Sequence, residues 1–131
     1  MNLIADTNIF IAVALDEPER PLILERTLAC ELIAPNLLPY ELANALSAMY
    51  KRKRLESNEV INGFKFASQI PVRLVDINIS NALSIAIQYN IYAYDAYFLQ
   101  AALQYRCALL SLDKKMRQVA QNLNIELLEL N

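Results

Sequence analysis

Four acidic residues are placed where they could act together in one reaction. Each follows a short apolar segment, at the point where a predicted parallel strand leads into a helix. They are Asp6, Glu41, Asp95 and Asp113. The carboxyl ends of the strands share one edge of an open α/β sheet, so residues remote in sequence meet there. Carboxylates suit Mg²⁺ and Mn²⁺, whose usual substrate group is phosphate, and the spacing therefore predicts a metal-dependent site that handles phosphate.

The same four carboxylates are predicted to be both the catalytic residues and the metal ligands. We expect Asp6 and Asp113 to bind the ion directly, and Glu41 and Asp95 to complete its shell directly or through water. Hydrolysis of a phosphodiester at such a site needs no His and no covalent nucleophile, because the metal deprotonates water and screens the phosphate. Each acid alone also has a structural explanation, such as a helix cap or a favourable charge at a helix N-terminus.

Polar residues next to these acids are candidates for orienting them or for contacting substrate. Asn44 lies one helical turn after Glu41, and Ser111 lies two residues before Asp113 on the same predicted strand face. Thr7 and Asn8 follow the first acid directly, although a cap or turn hydrogen bond explains them equally well.

A basic run ends the predicted helix that carries Glu41. It consists of Lys51, Arg52, Lys53 and Arg54. Such a run could contact a nucleic-acid backbone, or it could simply place favourable charge at a helix C-terminus. A sequence pI near 5.1 argues against general electrostatic coating of nucleic acid.

Short apolar runs alternate with amphipathic stretches, which is typical of βα units around a parallel sheet. We predict strands near residues 3–5, 32–34, 72–75, 108–112 and 125–128, and helices between them. Asn36 and Ser80 are predicted to cap the helices that follow them. The expected fold is one α/β domain over residues 1–131, with three αβα layers and a short central parallel sheet of four or five strands.

Composition excludes several classes of function. The 131 residues, 56% hydrophobic and 20% charged, fit one ordered domain, and the apolar excess suggests a partner. The absence of His removes the Ser-His-Asp, Cys-His and histidine–zinc chemistries. Cys30 and Cys107 stand alone, which fits a reduced, cytoplasmic location. The apolar region 82–110 carries too many polar side chains for a membrane span.

The residues together resemble a known family. Asp6-Thr7-Asn8, the segment from Pro39 to Leu46, Tyr94-Asp95-Ala96-Tyr97 and Ser111-Leu112-Asp113 are similar to the four motifs of PIN-domain ribonucleases in order and spacing. The overall length resembles that of VapC-like toxins from type II toxin–antitoxin systems. The set of four motifs, which extends over nearly the whole chain, is more specific than any one of them.

The resemblance implies an endoribonuclease that depends on Mg²⁺ or Mn²⁺. It implies a homodimer or toxin–antitoxin hetero-oligomer that cleaves tRNA or ribosomal RNA and is inhibited by a cognate antitoxin. The family's acidic residues correspond to the four acids named above, and its hydroxyl near the last acid corresponds to Ser111.

Other interpretations fit less well. A haloacid-dehalogenase-like phosphatase needs a second carboxylate two residues after the first, where this chain has Asn8. A receiver domain needs an acceptor Asp on a strand, whereas Asp95 is predicted to lie in a helix. The alternative from another class is a catalytically inactive PIN-like module that binds RNA or protein, but such a module would not need all four acids, since clustered carboxylates cost stability.

Overall fold

A computed structural model describes residues 1–130 as a four-stranded sheet flanked by helices. The strands are β1 (Asn2–Ala5), β2 (Glu31–Pro35), β3 (Arg73–Val75) and β4 (Ala108–Leu110). Their order is β3-β2-β1-β4 and every pairing is parallel. The predicted α/β fold is confirmed.

Seven helices connect and cover the strands of this sheet within the described residues. They are α1 (Thr7–Ala14), α2 (Arg20–Thr27), α3 (Leu38–Lys51), α4 (Ser57–Ser68), α5 (Ile79–Tyr89), α6 (Ala93–Tyr105) and α7 (Lys114–Asn122). No helix among residues 1–130 is both long and apolar enough to cross a membrane.

The central strand β1 forms the middle of the core. Leu3, Ile4 and Ala5 are fully buried, and Phe10 of α1 and Phe98 of α6 are among the largest buried side chains. A parallel strand covered by helices is apolar at successive positions, because neither of its faces meets water. The change from this apolar run to the polar Asp6-Thr7 therefore marks the carboxyl end of β1, where the strand leaves the sheet.

Two predicted helix caps are wrong. Asn36 does not cap α3, whose N-cap is Leu37 without a side-chain bond. The Asn36 amide instead donates to Asp76 Oδ1 at 2.6 Å, joining the loops after β2 and β3. Asn78, and not Ser80, caps α5 by accepting from the Asn81 N–H at 2.9 Å.

The C-terminal part of the predicted sheet is shorter than expected. Strand β4 ends at Leu110, because the Ser111 hydroxyl accepts the Asp113 N–H at 3.0 Å and turns the chain toward α7. Residues 125–128 form no strand and make only a parallel bridge between Leu109 and Leu127.

Candidate active site

Asp6 lies at the carboxyl end of β1 and caps α1. Its Oδ1 accepts the Ile9 N–H at 3.3 Å and its Oδ2 accepts the Ser111 hydroxyl at 2.5 Å. The side chain is almost completely buried, with 4% of the residue exposed. Capping explains its position but not its burial, because a capping carboxylate is ordinarily solvated.

Ser111 connects the first and last of the four acids. While its hydroxyl donates to Asp6, its oxygen accepts the backbone N–H of Asp113. The Asp113 carboxylate caps α7 by accepting the Met116 N–H at 2.9 Å. Since β1 and β4 are paired, the structure brings together two acids that are more than 100 residues apart.

Glu41 approaches the same region from the first turn of α3. Its Oε1 accepts the Thr7 hydroxyl at 2.7 Å. Its Oε2 is buried and has no hydrogen-bond partner among residues 1–130. Burying a carboxylate oxygen without a hydrogen-bond donor costs free energy. A partner for this atom would therefore have to come from outside the described residues.

Asp95, in the first turn of α6, completes the cluster of four carboxylates, which we call the acidic cluster. The prediction that a strand leads into its helix is wrong, because α6 follows α5 directly. Burial raises the pKa of Asp95, and the charge of Asp113 raises it further. Burial is likewise the main reason that the pKa of Glu41 is raised; the Thr7 hydroxyl lowers it and the Asp95 charge raises it. Since the charge of Asp95 also raises the pKa of Asp6, Asp95 links Glu41 electrostatically to the other acids of the cluster.

Asp6 has the largest resolved pKa shift of the cluster. Burial raises its pKa from 3.8 to about 7; the bonds from Ser111 and Ile9 lower it, and the charges of Asp113 and Asp95 raise it. Near neutral pH, Asp6 is therefore only partly ionised in the absence of a cation. Added positive charge would reverse this preference and favour the carboxylate.

The donors of the acidic cluster match a hard divalent cation. All are carboxylate oxygens, and the unpartnered Glu41 Oε2 and the raised pKa values mark a deficit of positive charge. Within the described chain, no three or more His, Cys, Asp or Glu side chains are arranged to hold an ion as they stand. The acidic cluster therefore fits such an ion in the type of its ligands.

The other predicted polar residues are divided between the cluster and solvent. Thr7 and Ser111 are buried and each donates to one of the acids. Asn8 is exposed and lines the same groove as Asp113. The side chain of Asn44 is exposed and makes no hydrogen bond in the part of the chain described, so the structure does not bring it into the cluster.

One further acid at this edge had gone unnoticed in the sequence. Asp76 directly follows β3; its carboxylate accepts from Asn36, and its backbone carbonyl accepts the Tyr105 hydroxyl at 2.6 Å. The signal was the same as for Asp6, an acid immediately after a strand. These bonds tie the β3 end to α6, which carries Asp95, so Asp76 supports the edge structurally.

Comparison with known proteins gives a family match and structural relatives. The family model described as PIN domain matches residues 3–122, and no curated protein matches the chain. The fold is similar to PAE2754 from Pyrobaculum aerophilum, with TM-score 0.68 and 15% identity over 91% of this chain and 79% of that one.

Two further crystal structures are similar over nearly their whole length. One is VapBC2 from Rickettsia felis bound to a DNA fragment from their promoter, with TM-score 0.68, 14% identity and 98% coverage of both chains. The other is FitAcB from Neisseria gonorrhoeae, with TM-score 0.65, 14% identity, 98% coverage of this chain and 97% of that one. At these identities the likeness establishes the fold.

Proposed function

Since this chain belongs to the PIN domain family, we propose that it is an endoribonuclease that depends on Mg²⁺ or Mn²⁺ and acts as the toxin of a toxin–antitoxin pair. The reaction would be hydrolysis of phosphodiester bonds in RNA, with tRNA or ribosomal RNA as the expected substrate. The four-motif resemblance supports this proposal, as does the likeness of the fold to VapBC2 and FitAcB.

The observation that carries the proposal is the acidic cluster with its buried, protonation-prone Asp6. The pKa of Asp6 is raised to about 7 mainly by burial, and Glu41 keeps a buried oxygen without a partner. A fold gains no stability from this arrangement, because desolvated and mutually repelling carboxylates oppose folding. A bound divalent cation would satisfy both features.

Residues of this chain would hold the ion and orient the groups that react. Asp6, Glu41, Asp95 and Asp113 would hold the ion, which would supply an activated water and screen the charge on the scissile phosphate. The hydroxyl of Ser111 keeps Asp6 oriented and favours its ionised form, because it donates to the carboxylate. Thr7 does the same for Glu41. Asn8, exposed on the groove beside Asp113, could donate its amide to a phosphate oxygen.

Two protein partners belong to the proposal. One face of α5 exposes Ile79, Leu83 and Ile87, with 63%, 51% and 75% of each residue accessible, at the spacing of one helix stripe. Such a stripe supports a homodimer, and Leu83→Lys should then give a monomer in sedimentation analysis.

An antitoxin would inhibit by inserting a Lys or Arg among the acids; a complex whose carboxylates still bind metal and whose nuclease still cuts would contradict this.

We place the protein in the cytoplasm. Cys30 and Cys107 are both free, and unpaired thiols fit a reducing compartment. Fractionation of cells that express the chain at native level tests this placement.

The test of the nuclease is cleavage of total cellular RNA by purified protein without a partner. The reactions contain Mg²⁺, Mn²⁺ or EDTA, and they compare the wild type with Asp6→Asn. Asp16→Asn is the matched control, because it makes the same chemical change at an exposed aspartate outside the cluster.

Discrete fragments that need metal and are absent only with Asp6→Asn are expected. Absence of cleavage by a folded protein in either metal would contradict the nuclease and favour the inactive RNA- or protein-binding module. Equal cleavage by all three proteins would indicate a contaminating nuclease and would remove Asp6 from the mechanism.

A further inference from the structure

A groove of about 420 Å³ lies between Asp113 of the acidic cluster and the C-terminal half of α3, and the other three acids are not part of its lining. Asp113 and Asn8 line one part of it, and Arg52 and Arg54 line another, with Ala45, Ala48 and Met49 of α3 also in its wall. One depression is therefore lined both by an acid of the cluster and by two arginines. Two residues of the basic run thus share a groove with Asp113.

The end of α3 decides which basic residues reach the groove. The Lys53 N–H donates to the Tyr50 carbonyl and the Arg54 N–H donates to the Met49 carbonyl, both at 2.9 Å. With Lys53 at φ 59°, this is the Schellman arrangement that closes many helices. The turn directs Arg52 and Arg54 to the groove, whose lining does not include Lys51 or Lys53.

A favourable interaction with the dipole at the C-terminus of α3 does not explain a basic residue at position 54. Helix α3 ends at Lys51, so Arg54 lies beyond its last turn, where the effect of the helix dipole fades. Neither Arg52 nor Arg54 makes an ion pair or side-chain hydrogen bond within residues 1–130, and both are exposed. Their guanidinium groups are available for an external anion.

The groove also contains acids that oppose such an anion. Glu17 and Glu19 line it together with Asp113, so its five charged side chains sum to −1. Because Arg52 and Arg54 are the basic residues in the lining, they are the residues of this groove that can bind a phosphate. Arginine suits that task because its planar guanidinium can donate two parallel hydrogen bonds to one phosphate.

We propose that Arg52 and Arg54 hold backbone phosphates of the RNA strand on one side of the cleavage point, and so set how the strand enters the acidic cluster. This inference rests on the proposed nuclease function and deepens it. Arg52, which caps the C-terminus of α3, comes 11 residues after Glu41, or about 16 Å along the helix axis at 1.5 Å per residue. The contacted phosphates thus lie beyond the scissile one, and Lys51 and Lys53 take no comparable part.

The experiment compares two double variants with the same change in charge. Arg52→Gln with Arg54→Gln removes the groove cations, whereas Lys51→Gln with Lys53→Gln removes the neighbouring ones. Binding of a short fluorescein-labelled single-stranded RNA of mixed sequence is followed by anisotropy with Mg²⁺ at several salt concentrations, in the Asp6→Asn background. Cleavage by the same pairs with Asp6 intact is measured in parallel, and circular dichroism confirms folding.

The arginine pair should bind RNA roughly tenfold more weakly, and its salt slope should fall by about 1.4, or about 0.7 for each lost phosphate contact. The cleavage defect should be mainly in KM. The lysine pair should stay within about twofold of the parent. Glu17→Gln with Glu19→Gln should tighten binding, because it removes the opposing charges.

Equal losses from the arginine and lysine pairs would overturn the inference, since that result is expected of diffuse electrostatics. If the wild type cleaves RNA and the pairs are equal, the nuclease stands and the groove assignment fails. If the wild type does not cleave but the arginine pair alone weakens binding, the groove assignment stands and the nuclease fails. If the parent protein does not bind the RNA, the groove assignment fails.

Discussion

Replacing Asp6 by Asn should stabilise the metal-free protein at pH 8 while abolishing cleavage. In the native protein, burial raises the pKa of Asp6 from 3.8 to about 7. Between these values the folded state binds a proton that the unfolded state has released, so stability falls as pH rises. The stability that the folded state gains by keeping Asp6 protonated is fully present below about pH 4 and is lost above about pH 7.

The size of this effect follows from the shift. About three pKa units at 1.36 kcal/mol each correspond to roughly 4 kcal/mol, of which roughly 3 kcal/mol is lost between pH 5 and pH 8. Asparagine is neutral at all these pH values, and it can still accept the N–H of Ile9. Its amide must, however, replace the strong bond from the Ser111 hydroxyl, which costs about 1 kcal/mol. The net gain at pH 8 is therefore about 3 kcal/mol.

Urea unfolding in EDTA at pH 5 and pH 8 measures both quantities. The wild type should lose stability between the two pH values, and Asp6→Asn should lose much less. The remaining dependence has the same sign, because the pKa values of Glu41 and Asp95 are also raised. Asp16→Asn, at an exposed position, should retain the wild-type pH dependence.

Magnesium provides a second readout of the same reasoning. An ion that binds only the folded wild type should restore stability at pH 8, by about 2.7 kcal/mol at a hundred times its Kd. Asp6→Asn should respond less, because one ligand has lost its charge. A wild type equally stable at both pH values, or an Asp6→Asn variant less stable at pH 8, would refute the assigned cost of burying Asp6.

Substitutions at three other positions give separate tests. Ser111→Ala removes the hydroxyl that lowers the pKa of Asp6, so the pH profile of cleavage should move to higher pH. Thr7→Val leaves both oxygens of Glu41 without a donor, and the urea midpoint should fall by an amount equivalent to about 1–2 kcal/mol, whereas Thr7→Ser should restore it. Gly63→Ala in α4 should raise the melting temperature slightly, since the helix gains about 1 kcal/mol and the nearest leucine methyl, 3.1 Å from the new Cβ, is the end of a flexible side chain.

The sequence was sufficient for the fold class and for most element positions. Helices lie between the strands, as predicted, and Asp6 and Asp113 cap the helices that follow them. These features are local: periodicity, a capping side chain and a change from apolar to polar residues are written in neighbouring positions. They also sufficed to identify the four acids and their hydroxyl neighbours as candidates.

Tertiary structure decided features that depend on distant partners. The amide of Asn36 bonds to Asp76, 40 residues away, instead of capping α3, and residues 125–128 form only a bridge to β4. Neither outcome is encoded locally, because a polar side chain near a helix start can be satisfied by any donor or acceptor that the fold brings close.

The energetics of the acidic cluster likewise required the assembled fold. Sequence spacing indicated that four acids would share one edge, but the burial of Asp6 and the unpartnered Oε2 of Glu41 arise where β1, β4, α3 and α6 meet. The lining of the groove includes Arg52 and Arg54 but not Lys51 or Lys53, and this selection depends on the turn that closes α3 and on the elements packed around it. Residue types determine which chemistry is possible, and only the packed structure determines which groups lose water and which face a common ligand, because desolvation depends on all the elements around a site.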